Sequence, residues 1–209
     1  MGWDYYGVRD PARLDDRDNW SGGFYELDIE LGEAGPERLQ SALTRLWAAA
    51  RVEGCYADPR IYGGDEMAAV PLQVSSLEEH GLLAGTVALP SCHRVVCACT
   101  SVEFDDGQRW LTLNLPLGAL GRTDRRIGAF PFGEDGGPVS LRWRHPLDAW
   151  LGTVADAVHA EVGIACAVIG FEIDVGKDAA SFAAGLPEQR REAIALPGPD
   201  GLVHTPANR

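Results

Sequence analysis

The sequence lacks the long apolar runs and the excess positive charge that would tie it to a membrane or to nucleic acid. No stretch approaches the roughly 18 apolar residues of a membrane span, and the first 20 residues hold neither the basic start nor the apolar core of a secretory signal. The chain carries 31 acidic against 18 basic residues, a formal net charge of −13. Such a surface repels phosphate groups. We therefore expect a cytoplasmic protein that binds neither nucleic acid nor membranes.

Signatures of catalysis are missing as well. The chain has no G-x-S-x-G elbow, no H-E-x-x-H helix and no phosphate-binding glycine loop. Its histidines outside residues 92–99 are scattered along the sequence. The sequence therefore favours a non-enzymatic protein without deciding the matter, and it predicts no cofactor.

Residues 92–99, CHRVVCAC, hold three of the five cysteines. A structural zinc site usually presents cysteine pairs with two to four residues between them, at turns. Cys97 and Cys99 are instead separated by one residue within an apolar run, and in a strand His93 would lie roughly 13 Å from Cys97. Free cysteine is commonly buried, and it stays reduced in the cytoplasm. We therefore predict the interior of a β-strand and no metal site.

Apolar periodicity predicts several strands and two helices. Strict alternation over 24–31 predicts a half-buried strand. Helical spacing of apolar residues predicts amphipathic helices that begin at Pro36 and Pro146, the second after a long loop over 118–145. Further strands are predicted at 82–89, 93–104, 109–117 and 164–175, with one or two short ones within 51–79. This order predicts an α+β fold, a mainly antiparallel sheet with two amphipathic helices on one face: a two-layer sandwich, for which a ferredoxin-like variant is one form.

A chain of 209 residues fits one globular domain. We divide it into an aromatic and acidic N-terminal arm over 1–22, an α+β core over 23–175 and a C-terminal tail over 176–209. The PGPDG segment of that tail suggests a short hairpin.

Acidic residues line one face of the first predicted strand, at Glu26, Asp28 and Glu30. Glu172 and Asp174 follow the same alternation in the last long strand. The favoured interpretation is the solvated face of a sheet. The alternative is a set of paired acids for acid–base chemistry or a hard-cation site.

Arginines are concentrated between 121 and 145, whereas the first 35 residues carry nine acidic residues against three arginines. Arginine's planar guanidinium suits phosphate or carboxylate ligands. The segment could bind such an anion, or it could dock on the acidic N-terminal arm, which we favour. The candidate ligand-binding residues are Arg122, Arg125, Arg126, Arg142, Trp143 and Arg144.

The N-terminal arm is also rich in aromatic residues, which are favoured in interfaces. It either folds over the protein's own sheet or forms an interface with a partner or a second copy. The candidate interface residues are Trp3, Tyr5, Tyr6, Asp15, Asp16, Asp18 and Trp20.

Two functional hypotheses follow. The first is a non-enzymatic interaction protein, such as an inhibitor or immunity-type module, whose partner is a basic protein or a second copy of the chain in a homodimer. The second is a binding domain for a small anionic molecule, or a small enzyme, with a pocket between the sheet face and the 118–145 loop. A deep pocket with convergent polar groups favours the second hypothesis, and a flat acidic and aromatic surface favours the first.

Overall fold

The computed structural model describes residues 10–57, 67–127, 138–174 and 176–209. A short 3-10 helix at Arg17–Trp20 precedes the first strand. The elements that follow are β1 (Phe24–Glu33), α1 (Pro36–Ala50), β2 (Glu53–Ala57), β3 (Ala68–Ala69), α2 (Val74–His80), β4 (Leu83–Ala88), β5 (Arg94–Glu103), β6 (Gln108–Pro116), α3 (Leu117–Thr123), α4 (Pro138–Val162), β7 (Cys166–Phe171), α5 (Ala179–Phe182), β8 (Ala193–Gly198) and β9 (Gly201–Thr205). The predicted α+β class is confirmed.

One sheet contains the nine strands of the described residues, in the order β3-β2-β4-β5-β6-β1-β7-β8-β9. Neighbouring strands pair antiparallel. The central strand β1 pairs with β6 and β7, and its alternation buries Tyr25, Leu27 and Ile29 completely. The mainly antiparallel sheet is confirmed, whereas the two-layer sandwich and the ferredoxin-like variant stay predictions.

Helices α1 and α4 share one apolar core with the face of the sheet that carries Tyr25, Leu27 and Ile29. Helix α1 begins at Pro36, as predicted, because proline's fixed φ and missing N–H suit the first helical position. A second, smaller apolar cluster lies on the opposite face, where Phe182 of α5 packs with Trp110 and Cys166.

The predicted start of the second long helix is wrong. Helix α4 begins at Pro138, so Pro146 lies inside it. An internal proline removes one helical hydrogen bond. The buried side chains of Trp143 and Leu147, on either side of Pro146, hold both halves of the helix against the core.

The loop predicted over 118–145 is therefore too long at both ends. Its first residues belong to α3, and residues 138–145 form the first turns of α4. Residues 128–137 lie outside the described residues. Helix α2 was not expected either, whereas the hairpin at PGPDG is confirmed and forms β8 and β9. Because β8 pairs with β7, this hairpin extends the main sheet.

Residues 94–99 of the cysteine-rich stretch form the first part of strand β5. Cys97 and Cys99 are fully buried there, as predicted, and burial raises the pKa of both thiols well above the ordinary value. Cys92 and His93 lie in the turn before the strand, where Cys92 has a φ of 66°. Over the described ranges, no group of three or more His, Cys, Asp or Glu side chains is arranged to hold a metal ion.

Candidate functional site

A pocket of about 440 Å³ lies between helix α4 and strands β7, β8 and β9. Its apolar wall is formed by Ala149, Gly152, Ile169, Ala193, Ile194 and Pro206. Its polar lining is formed by His145, Asp148, Thr153, Asp156, His204 and Thr205. An apolar wall with a few polar groups is typical of small-molecule sites.

Helix α4 presents three of these residues in one row. Asp148, Gly152 and Asp156 are spaced four residues apart, and this spacing places them on the same helical face. At 1.5 Å of rise per residue, the two carboxylates are about 12 Å apart along the helix axis. The pocket therefore has an acidic residue towards each end and no side chain between them on this row.

Asp148 belongs to a buried hydrogen-bond network beneath the pocket. The Tyr25 hydroxyl, from the central strand β1, donates to Asp148 Oδ1. Arg144 Nε donates to the Tyr25 hydroxyl oxygen at 3.3 Å, and Arg144 Nη1 donates to the main-chain oxygen of Arg209 at 2.8 Å. Tyr25, Arg144 and Asp148 are all buried, with Asp148 only 6% exposed.

The second oxygen of this carboxylate is left without a partner. Asp148 Oδ2 accepts no hydrogen bond from the part of the chain that the structure describes. Burial raises the pKa of Asp148 to about 6, while the Tyr25 hydrogen bond and the charges of Arg144 and His145 act in the opposite direction. Above that pH the group is ionised, and Oδ2 is an unpaired acceptor that the surrounding atoms cover.

The outer part of the pocket carries a histidine–carboxylate pair. His204 Nε2 lies 2.9 Å from Asp156 Oδ1, and both side chains are partly exposed. The pair depends on Gly152, because a Cβ atom there would lie 3.0 Å from His204 Cε1. A glycine in mid-helix therefore gives the imidazole room to approach α4.

Two hydroxyl-bearing residues, Thr153 and Thr205, are among the lining residues of this pocket. Thr153 is bonded within its own helix, since its hydroxyl donates to the Trp150 carbonyl at 2.7 Å. Neither serine nor cysteine is among the lining residues that the structure describes. The polar groups are thus mainly hydrogen-bond acceptors and imidazoles around an apolar space.

A smaller pocket of about 310 Å³ involves three of the candidate ligand-binding residues. Arg126, Arg142 and Trp143 line it, together with His93 and other residues of the β4–β5 turn and α4. Arg126 Nε donates to both oxygens of Asp124 at 3.0 Å, and this pairing lowers the pKa of Asp124. An anion in this pocket would have to compete with that carboxylate.

The remaining arginines of the candidate set lie elsewhere. Arg122 contacts the acidic N-terminal segment, with Nη1 at 2.8 Å from Asp16 Oδ2 and Nη2 at 3.8 Å from Asp18 Oδ2. Arg144 belongs to the buried Tyr25 network, and Arg125 is exposed. The structure therefore distributes the arginine cluster among separate places instead of gathering it in one anion site.

The candidate interface residues are also divided. Asp15 pairs with Arg13 at 2.6 Å, and Trp20 Nε1 donates to the Leu14 carbonyl at 2.8 Å. The Trp20 ring also packs against the main apolar core. Trp3, Tyr5 and Tyr6 lie outside the described residues.

The acidic stripe of β1 is not the solvated face that we favoured. Residues 172–174 and 176–182 lie over it, and the backbone N–H groups of Ile173 and Ala179 donate to Glu26 Oε2 and Glu30 Oε2, each at 2.7 Å. Glu30 is buried, and burial raises the pKa of Glu26 to about 7 and of Asp28 to about 6. The expectation failed because residues after β7 turn back over the sheet instead of leaving it.

Sequence reasoning missed the residues that build the larger pocket. Tyr25, Asp148, Asp156 and His204 come from β1, α4 and β9, and only the sheet topology brings them together. Two signals were present in the sequence: an isolated tyrosine in the apolar row of β1, and two aspartates eight residues apart in α4.

Comparisons with known proteins do not indicate a function for this chain. No protein-family model matches the chain, and neither does any curated protein or solved structure. Within the described residues, no helix combines the length and apolar character needed to cross a membrane.

Proposed function

We propose that the protein is a small-molecule binding domain and that the pocket between α4 and β7–β9 is its site. The observation that carries this proposal is the pocket itself, a space of about 440 Å³ with an apolar wall and a few polar side chains.

The proposed site does not lie where the sequence predicted a pocket, between the sheet face and the 118–145 loop. It lies beside the C-terminal strands, on the far side of α4 from the arginine-rich segment that was expected to line it. The proposal is consistent with a two-layer arrangement, in which α1 and α4 cover one sheet face and the pocket opens where α4 meets the last strands. The acidic lining also makes an anionic ligand the weaker choice.

A ligand screen on the full chain tests the proposal. We expect a library of small polar–apolar molecules to contain compounds that raise the melting temperature, since a ligand that binds the native state stabilises it. Ala149→Phe should abolish this response by filling the pocket from an exposed helical position. Ala160→Phe, also exposed on α4 but outside the pocket, is the matched control. Binding that survives Ala149→Phe would place the site elsewhere.

A second candidate function is the binding of a basic protein. It is favoured by a cluster of acidic residues around the β5–β6 hairpin, which we call the acidic end of the sheet. Arg109 there lies 4.0 Å from Glu78 and also pairs with Glu103. Asp105 and Asp106 form the adjacent hairpin, so acidic residues outnumber the arginine. Such a surface would steer a basic partner by long-range attraction.

Affinity purification from the native host distinguishes this candidate. A captured basic protein should be lost when Asp105 and Asp106 are both changed to Lys, and retained when Glu37, an exposed residue of α1, is changed to Lys. Capture that is insensitive to Asp105 and Asp106 would contradict the acidic end as the interface. A sizing column on the same variants reports whether the partner is a second copy of the chain.

A further inference from the structure

Strand β9 ends the sheet at one side, and its outer edge pairs with no other strand of the described residues. We propose that this edge is an interaction surface that pairs antiparallel with β9 of a second copy of the chain, about a two-fold axis at Val203. The inference concerns the assembly of the chain and does not depend on the proposed ligand.

The pairing of β8 with β9 shows which backbone groups of β9 face outward. Pro197 lies opposite Leu202, and proline has no N–H, so these two residues cannot form the hydrogen-bonded kind of antiparallel pair. The two kinds of pair alternate along the strands. Val203 therefore bonds to Leu196, whereas Leu202 and His204 direct their N–H and C=O groups away from β8. Among the described residues, these outward groups have no hydrogen-bond partner.

The outer edge of β9 lacks the features that normally prevent a strand from pairing with another chain. Natural edge strands are protected by charged side chains, proline, bulges or short length. Residues 201–205, GLVHT, contain no acidic residue, lysine, arginine or proline, and their register with β8 is unbroken. Strand β3, at the other end of the sheet, has only two residues. In a chain with a net charge of −13, this regular and uncharged edge is suited to strand pairing.

The outward groups are arranged symmetrically about Val203, and this symmetry selects a second copy as the partner. In an antiparallel pair centred on Val203, Leu202 lies opposite the partner's His204, and His204 lies opposite the partner's Leu202. Each of these two pairs exchanges two backbone hydrogen bonds, so every outward group gains a partner. The contact uses the same strand in both copies, so the assembly ends at a dimer.

The side chain of Val203 supplies the apolar contact at the centre of this pairing. It is 57% exposed, the second most exposed of the large apolar side chains in the described ranges. Leu202 packs against the main core and His204 contacts Asp156 of α4, so Val203 points to the opposite face of the sheet. At the axis it would lie opposite the partner's Val203, with the two Cα atoms about 4.5 Å apart. The two exposed side chains would then cover each other.

Sedimentation velocity of the full chain over a concentration series tests the assembly. One pair of short strands buries less surface than a standard interface of about 1,600 Å², so we expect a weak dimer with a dissociation constant of about 10 µM to 1 mM. Added salt should tighten the dimer, because it screens the repulsion between two copies that each carry a charge of −13.

One substitution at the axis tests the surface. Val203→Lys should weaken the dimer at least about tenfold, because two like charges would face each other across the strands. Val139→Lys, the same change at a side chain 69% exposed on α4, is the matched control and should leave the dimer unchanged. Both variants change net charge equally, so their difference reports the position.

Two further measurements test the register. At concentrations where the dimer forms, the amides of Leu202 and His204 should exchange with solvent more slowly, and in Val203→Lys they should stay fast. Val203→Cys should form an intermolecular disulfide under mild oxidation, because a Cα separation of about 4.5 Å lies within the range that disulfides span. Val139→Cys should not form one.

Each outcome decides for or against the strand pairing. A chain that stays monomeric at about 1 mM would overturn the inference, even if a strand of another protein bound the same edge. A dimer that forms equally well in Val203→Lys and Val139→Lys would place the contact on another surface and overturn it as well. A dimer without slower exchange at Leu202 and His204 would contradict the register. The variants change exposed side chains outside the larger pocket, so the ligand screen is decided separately.

Discussion

The Tyr25 hydroxyl on the central strand β1 donates a hydrogen bond to Asp148 Oδ1 on helix α4. This contact joins the middle of the sheet to the helix that covers it, and it fixes the carboxylate at the base of the larger pocket. Arg144, one turn earlier on α4, donates to the same hydroxyl oxygen. The network therefore ties α4 to the central strand of the sheet.

Removal of the tyrosine hydroxyl tests the structural role. Tyr25→Phe leaves both oxygens of Asp148 without a donor, so we expect the free energy of unfolding to fall by about 1–3 kcal/mol. Urea denaturation measures the change. Tyr56→Phe, on the outer strand β2 where the side chain is partly exposed, is the control and should cost less than about 0.5 kcal/mol. Equal effects of the two substitutions would mean that the network adds no stability.

The helix-on-sheet core predicts a large cost for one truncation. Leu151 is fully buried on α4, and Leu151→Ala should lower the free energy of unfolding by roughly 2–5 kcal/mol because it leaves a cavity. Val139, 69% exposed on the same helix, provides the control, and Val139→Ala should change stability by less than about 0.5 kcal/mol. Denaturant unfolding measures both. A loss below about 1 kcal/mol for Leu151→Ala would contradict the packing of α4 on the sheet.

The Leu151 prediction uses the part of the fold that the sequence revealed best. Alternation in β1 and the apolar stripe of α1 identified their buried faces, because local periodicity reports which side of an element meets the core. Pro146 was a misleading signal for a helix start because a helix can continue through a proline when both flanking turns are held by tertiary contacts. The Tyr25–Asp148 pairing joins residues 123 positions apart, and no local pattern reports such a contact.

Because three carboxyl groups are largely buried, we predict that the free energy of unfolding rises as the pH falls. The pKa of Asp28 and that of Asp148 are raised to about 6, and that of Glu26 to about 7, chiefly by burial. Between about pH 7 and pH 4 the native state therefore binds more protons than the unfolded state, so the free energy of unfolding increases on acidification through this range. It is lowest above about pH 7, where these groups are ionised in both states.

Asp28→Asn tests this dependence at one site. Asn cannot ionise, so the variant should lose part of the pH dependence, on the order of 1–3 kcal/mol between about pH 8 and pH 5. Asp106→Asn, at the exposed β5–β6 turn, should retain the dependence of the unmodified chain. Urea unfolding at a series of pH values gives both curves. Identical curves for Asp28→Asn and the unmodified chain would show that Asp28 does not contribute.

Gly152 offers a prediction about the outer part of the pocket. The Cβ of Gly152→Ala would press on the His204 ring, which is partly exposed and free to rotate away. We expect His204 to leave Asp156 while the helix gains up to about 1 kcal/mol, because alanine is the better helix former. NMR of the imidazole and thermal unfolding report the two effects. Gly35→Ala, which has nothing within 4 Å of the added Cβ, should leave the His204 signals unchanged. Unchanged His204 signals in Gly152→Ala would contradict the close approach.

Arg122 is the residue through which the arginine-rich segment meets the acidic N-terminal segment. It contacts Asp16 and Asp18, and it also donates to the side chain of Asn19, which is fully buried. Because this contact is only partly exposed to solvent, Arg122→Ala should cost about 1–3 kcal/mol, more than an exposed pair contributes. The loss should be local, since α3 and the N-terminal segment are otherwise joined by backbone bonds such as that from Gly118 N–H to the Ser21 carbonyl.

Hydrogen exchange separates this local loosening from global unfolding. In Arg122→Ala we expect faster exchange of the Gly118 amide and of the Val96 amide, which donates to the Pro11 carbonyl at 2.9 Å, with the amides of the β1–β6 pairing unchanged. Arg125→Ala, an exposed residue of the same segment, is the matched control and should leave all of these rates unchanged. Equal acceleration in both variants would assign the effect to net charge. Accelerated exchange only in Arg122→Ala would show that this guanidinium stabilises the backbone contacts between the N-terminal segment and the domain.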